Sequence, residues 1–403
     1  MTATPTLTIC VPSRNRQYTF KETIRSLVMS PRLDVHFVFA DNSDDPSIMN
    51  DFMKDVIGDP RVTYLPTDDR IHPMSGNWER CVEAARGDFI CVIGDDDYVD
   101  PDVAGLISDL CAKEKDVDVV VWGRLSFNWP DNRFAPCSVA VPLGTKVFEV
   151  PRVHLFEEFF GWKVHDATPN CPFSIYHGAV SRRAMEANKR RFGGRHFGHI
   201  TVDFETSCKL VVNARRFFYV ERPFSVLGAC FASNSGGVGN PEELKRRHAN
   251  AMAELGRNID EDPYMKNFPF GCILGVAAAV GQVQEWFCTT FGIKRPKGWE
   301  ANFADACALD CNRSGSQQAF DLIVEGYLRG LRLWKGGEYV KYFNPVFKER
   351  SAGLVYFGMN EKNLHIDENV ADVQTPAELY RIVSQVMVPI AELKKTNSKK
   401  KVA

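Results

Sequence analysis

The sequence predicts an α/β protein with a mostly parallel sheet flanked by helices, and three observations lead there. Over residues 1–125, apolar runs of strand length alternate with segments whose apolar residues recur at helical spacing. The runs are apolar along their whole length, as in strands covered on both faces. The chain has 403 residues, of which 44% are hydrophobic and 25% charged, enough for a sizeable core and about right for two domains.

The elements follow in order. "LTICVP" reads as a buried strand, and Phe20, Ile24, Leu27 and Val28 then share one face of a helix that Pro31 stops. "DVHFVFAD" is a second strand, a helical segment begins near Pro46, and "RVTYLP" is a third strand. Trp78, Cys81, Val82 and Ala85 mark the next helix, with Gly87 as its expected stop. "FICVIG" is a fourth strand, Val103, Leu106, Ile107, Leu110 and Cys111 a helical stripe, and "VDVVVWG" a fifth strand.

Beyond residue 125 the alternation loosens into loops rich in His, Pro, Asn and Arg, with strands such as "RRFFYVERPFSVLG". "ASNSGGVGNPEE" places a boundary near residue 238. The organisation expected is a first domain over 1–238, with halves at 1–125 and 126–238. A mainly helical region over 239–393 and a basic tail over 394–403 follow.

A net charge of −2 argues against bulk electrostatic binding of nucleic acid. The twelve cysteines are scattered singly, and "CALDC" has no second pair with which to build a zinc site, so a reducing cytoplasm fits. The first residues lack the pattern of a signal peptide, and "FPFGCILGVAAAVG" is too short to span a bilayer. The tail "KKTNSKKKVA" suits a solvated end or weak attraction to an anionic membrane surface. Walker A, G-x-G-x-x-G and H-E-x-x-H patterns are missing, which lowers P-loop NTPases, dinucleotide oxidoreductases and zinc hydrolases.

In parallel sheets ligands sit beyond the carboxyl ends of the strands. Three such ends carry polar residues here: "PSRNR", "DNSDD" and "DDDYVD". Asp95, Asp96 and Asp97 repel one another unless a cation, a basic partner or water intervenes. Asp100 before Pro101 suits a helix start, which leaves the preceding trio unexplained. Hard cations such as Mg²⁺ and Mn²⁺ take oxygen ligands, often one or two carboxylates plus substrate phosphates.

"VPSRNR", "TIRSL", "VFADNSDD" and "NWERCVEAARGDFICVIGDDD", in that order, resemble the family-2 glycosyltransferases, nucleotide-sugar enzymes of the GT-A fold. The resemblance implies a Rossmann-like sheet and a metal-dependent, inverting transfer of a sugar from a nucleotide diphosphate, UDP-linked, to a hydroxyl of a glycan or glycoconjugate. It implies a donor site of Pro12, Ser13, Arg16, Asp41, Asn77, Asp95 and Asp96, with Mn²⁺ or Mg²⁺ on Asp95 and Asp97. Gly76 stands where many members carry an Arg, and Arg70 is the candidate to reach the diphosphate instead. "HITVDFETSCKLV" resembles the place of the catalytic base, which implies Asp203 as base and Glu205 as its reserve. His177, His196 and His199 are further candidates for the metal or diphosphate, and "SNSGG" for a lid. A nucleotidyltransferase and a binding module without turnover are the alternatives; "VPSRNRQYTF" lacks the glycines of a nucleotidyltransferase loop.

Overall fold

The computed structural model describes residues 6–130, 137–163, 166–233, 241–347 and 356–396. The expected runs form β1 (Leu7–Ser13), β2 (Val35–Asp41), β3 (Val62–Leu65) and β4 (Phe89–Val92), separated by α1 (Gln17–Val28), α2 (Ser47–Met53) and α3 (Met74–Ala84). Next come β5 (Tyr98–Val99), α4 (Val103–Lys113) and β6 (Val117–Asn128). The looser stretch holds β7 (Ser138–Pro142), β8 (Lys146–Val150), α5 (Arg152–Phe159), β9 (Gly178–Ser181), α6 (Arg182–Arg191), α7 (Val202–Asn213) and β10 (Arg216–Ala229).

One ten-stranded sheet runs in the order β8-β10-β6-β9-β4-β1-β2-β3, extended beyond β8 by a C-terminal strand, with β5 paired to β10. β1 to β4 are mutually parallel and β6 is parallel to β10, whereas β9 is antiparallel to both β4 and β6. The pleat sorts side chains into two layers. Leu7, Ile9, Val11, Phe37 and Phe39 pack with Phe20, Ile24 and Leu27 of α1 and with α4. Cys10, Val38 and Ala40 point the other way, onto α3, α6 and α7. Each large apolar side chain so buried contributes about 1.5–3 kcal/mol, so a one-residue slip of β1 would exchange the two layers at heavy cost.

Gly87 does not stop α3, which ends at Ala84. A Cβ at Gly87 would stand 2.5 Å from the backbone nitrogen of Thr8, so its role is close approach to β1. Asp100 is not the cap of α4: Asp102 holds that place with no side-chain bond, and Asp100 Oδ1 accepts the Asp102 N–H in the turn just before the helix.

The C-terminal half supplies α8 (Pro241–Leu255), α9 (Val276–Phe291), α10 (Trp299–Cys311) and α11 (Gln317–Leu333) around Phe268, Phe270, Phe303 and Trp334. Phe287 and Cys288 of α9 share a core with Cys208 and Leu210 of α7. Gln284 ties α9 to α5, accepting from Trp162 Nε1 and donating to the Phe159 carbonyl. Helices do not account for the whole of 239–396. After β11 (Gly358–Met359), β12 (Asn363–Asp367) pairs antiparallel with β7, and α12 (Pro376–Val383) follows. β13 (Lys394–Thr396), the start of the expected tail, pairs parallel with β8. The reason is physical: β7 and β8 offer unpaired edges, and the returning chain covers them. Residues 397–403 of the tail lie outside the described residues. Among the described residues no helix is long and apolar enough to cross a membrane.

Candidate active site

The parallel register sets Pro12 beside Ala40 and Ser13 beside Asp41, so the ends of β1 and β2 reach one edge together. β4 delivers Asp95, Asp96 and Asp97 to the same edge. Thr23 of α1 fixes their backbone, its hydroxyl donating to the carbonyls of Asp95 and Asp97. From the other side Gly228 of β10 closes in; a Cβ there would overlap the Asp96 carbonyl at 1.7 Å.

The three carboxylates are buried, and each is held differently. Ser13 Oγ donates to Asp95 Oδ2 at 2.5 Å. Arg16 bridges the first two acids, with Nη2 2.7 Å from Asp95 Oδ1 and Nη1 3.2 Å from Asp96 Oδ2. Ser233 also donates to Asp96 Oδ2. Asp97 receives the Gly228 N–H on Oδ1 at 2.7 Å. On Oδ2 it receives Gly94 N–H at 2.7 Å, Tyr176 Oη at 2.7 Å and His177 Nε2 at 2.9 Å.

The electrostatics follow this division of partners. Burial pushes the Asp95 carboxyl up to about 7, with Asp96 adding and Arg16 opposing. Burial and the neighbouring Asp97 also raise Asp96. Asp97 goes the other way: burial raises it, but the charge and hydrogen bond of His177, with Tyr176 and Gly94, outweigh that and hold it below the usual range. Arg16 is raised, because Asp95 and Asp96 overcome its own burial.

These groups fit a divalent ion incompletely. Asp95 Oδ1 is buried without an aligned hydrogen bond, but Arg16 Nη2 already stands 2.7 Å from it. The oxygens of Asp97 already accept four protein donors, and the Asp97 and His177 side chains are wholly shielded from solvent. As placed, Asp97 is closed to an ion that must also meet a donor phosphate.

Asp203 lies in the first turn of α7, where its Oδ1 accepts the Phe204 N–H at 2.9 Å and so serves a free helix-end donor. Ser174 Oγ donates to the Asp203 carbonyl at 3.0 Å and accepts the Tyr176 N–H at 3.2 Å, and Tyr176 in turn binds Asp97, so the first turn of α7 and the acid trio are joined through these two residues. Burial raises the Asp203 carboxyl above the ordinary range, against the pull of Arg124. Glu205 is not a free reserve: it accepts from Gly198 and His199 N–H groups and pairs with Lys209 Nζ at 2.6 Å.

The remaining expected residues divide. Asp41 is buried and makes a turn, its Oδ1 accepting from Ser43 N–H and Oγ. Asn77 ties two strand ends together, donating to the carbonyls of Ser13 and Ala40. Arg70 is exposed, and its guanidinium makes no hydrogen bond or ion pair with the other site residues. His199 stacks on Trp286, and His196 stands with Glu79 and Glu83, where Lys189 already pairs with Glu83. His177 is the histidine that joins the site. Tyr176 went unread in the sequence; its only local signal is the aromatic-His pair "YH" just before a short strand. Of "SNSGG", Ser233 reaches Asp96, and 234–237 lie outside the described residues.

The glycosyl transferase family 2 profile matches residues 8–185. A Campylobacter jejuni protein, GalNAc(5)-diNAcBac-PP-undecaprenol beta-1,3-glucosyltransferase, is 26% identical over 123 residues, 30% of this chain and 38% of that relative. The chain thus spans well under half the length of that curated relative. Among solved structures, S. aureus TarS 1-349 is similar with a TM-score of 0.41 and 12% identity, over 84% of this chain and 88% of that one. Its complex with UDP-GlcNAc gives 0.42 and 14%, over 84% and 89%. The match to the glycosyl transferase family 2 profile thus spans a little under half of the chain.

Proposed function

We propose that this chain transfers a sugar, with inversion, from a nucleotide diphosphate donor to a hydroxyl of a glycan or glycoconjugate, and that the donor is UDP-linked. One observation carries the reading: Ser13, Arg16 and the acid trio gather at the carboxyl edge of a parallel sheet, the place where such sheets bind ligands, and Ser174 and Tyr176 link Asp203 to them. The family-profile match over residues 8–185 supports it, as does a relative whose name describes a glucosyltransferase. In this reading 1–238 is the transferase unit, 1–125 its donor half and 126–238 its acceptor half, with 239–393 bracing α7.

The chemical difficulty is a diphosphate whose negative charge grows as the sugar–oxygen bond breaks. Arg16 is the cation already fixed at the edge, and a preorganised charge in a partly dry site acts without reorganising. Pro12, Ser13, Asp41 and Asn77 shape the nucleoside end, and Arg70 would have to swing inward to touch the diphosphate. Asp203 accepts the proton of the attacking hydroxyl; its raised pKa makes it a stronger base than a solvated carboxylate. Mn²⁺ or Mg²⁺ on Asp95 and Asp97 requires Asp97 to release Tyr176 or His177.

The closed Asp97 favours one second reading, a module that binds nucleotide sugar without turnover. A thermal-shift series with UDP-, GDP-, ADP- and dTDP-sugars, with and without Mn²⁺, tests both, because a ligand of the folded state raises its melting point. UDP-sugars should raise Tm most. A chain indifferent to all of them overturns both readings; binding without donor hydrolysis or transfer leaves the module.

A further inference from the structure

Away from the sheet edge, α8 and the turns that follow it assemble a second reactive cluster. His248 on α8 stands between a thiol and a carboxylate. Its Nδ1 is 3.2 Å from Cys272 Sγ, and its Nε2 is 3.0 Å from Asp260 Oδ2. Gln282 Nε2 donates to the other oxygen of Asp260 at 3.2 Å, which fixes the carboxylate against the ring. Cys272 is half-buried, and the His248 side chain keeps 16% of its surface exposed, so the pair is not sealed from solvent. Tyr264, 7% exposed, has a hydroxyl with no hydrogen-bond partner; burial raises it, and the charges of Asp262, then Asp260 and Cys272, add to that against Arg257. The hydrogen bonds of Asp260, first, and Cys272 push the imidazole up to about 10.

The other cysteines lack this arrangement. Cys10, Cys208 and Cys307 are sealed in the core, where burial pushes their thiols up and leaves them inert. Cys111 is exposed, but burial of its stem and the charge of Asp88 raise it too. A thiol next to an imidazole that a carboxylate orients is the arrangement that activates a nucleophile.

We propose that Cys272 is a nucleophilic thiol that reacts with hydroperoxides, with His248 moving the proton, Asp260 orienting the ring and Tyr264 facing the departing oxygen. Sulfur attacks one peroxide oxygen, an S–O bond forms and the O–O bond breaks. The thiol proton passes through His248 to the leaving oxygen, giving water from hydrogen peroxide or an alcohol from an organic hydroperoxide. Cys272 becomes a sulfenic acid, oxidised by two electrons, and the peroxide is reduced by the same two. This chemistry stands apart from sugar transfer and uses none of its residues.

The test treats the full, reduced chain with hydrogen peroxide in the presence of dimedone, and peptide mass spectrometry follows each cysteine. Cys272 should be trapped at least about tenfold faster than Cys111, the exposed internal control, and His248→Gln should remove that advantage, in line with the typical worth of positioned proton transfer. Asp260→Asn should lose a smaller part of it. If Cys272 reacts no faster than Cys111 in the unmodified chain, a comparison that needs no variant, the proposal is overturned. It is equally overturned if a folded His248→Gln protein, checked by its melting curve, reacts as fast as wild type.

Discussion

Both halves of this molecule bury carboxylates, and they treat them differently. In the helical half Asp310 accepts from the Ala277 N–H and from Tyr327 Oη at 2.6 Å, inside an aromatic core. Burial raises it to about 6, and its partners all belong to the scaffold. At the sheet edge Asp95 and Asp96 share one guanidinium, and Asp95 keeps an unaligned oxygen. An isolated, well-partnered acid is a structural device. Crowded acids with one shared cation and a spare lone pair leave room for a ligand.

The sharpest way to break this contrast is to remove the shared cation. Arg16→Met strands two buried acids, so stability should fall by about 3–5 kcal/mol in a denaturant titration and donor binding should vanish. If binding persists in a folded Arg16→Met protein, the charge is offset elsewhere. Asp203→Asn should lower transfer by about 10²–10⁴-fold while donor affinity holds, measured by turnover beside calorimetry. The acidic limb of the wild-type pH–rate profile should also sit above the ordinary carboxylate range. The base must be ionised, and its folded pKa is raised, so activity falls as pH drops through that raised value. His177→Ala takes one donor from Asp97 and should cost about 1–3 kcal/mol; Mn²⁺ stimulation appearing only in this variant would show that His177 keeps the ion out. Asp310→Ala should cost about 1–3 kcal/mol as well, because the Tyr327 O–H and the Ala277 N–H lose their acceptor. It should leave turnover per folded molecule unchanged.

Much of the edge was legible because it is local. β1, β2 and β4 are fully buried runs, and the acids follow the last of them directly. What stayed hidden depends on distant pairing. Tyr176 and His177 reach Asp97 because β9 inserts antiparallel beside β4, with a bridge from Val92 to Tyr176 that no periodicity announces. β12 and β13 complete sheets whose partner strands lie more than 200 residues earlier. Asn77 adds a contact the order alone did not give: its side chain ties the ends of β1 and β2.

The contrast between the two halves is settled most directly by calorimetric titration of a UDP-sugar into wild type, Arg16→Met and Asp310→Ala. The account predicts binding to wild type and to Asp310→Ala, despite the latter's lower stability, and none to folded Arg16→Met. Equal affinity in all three, or losses that track melting temperature alone, would contradict it.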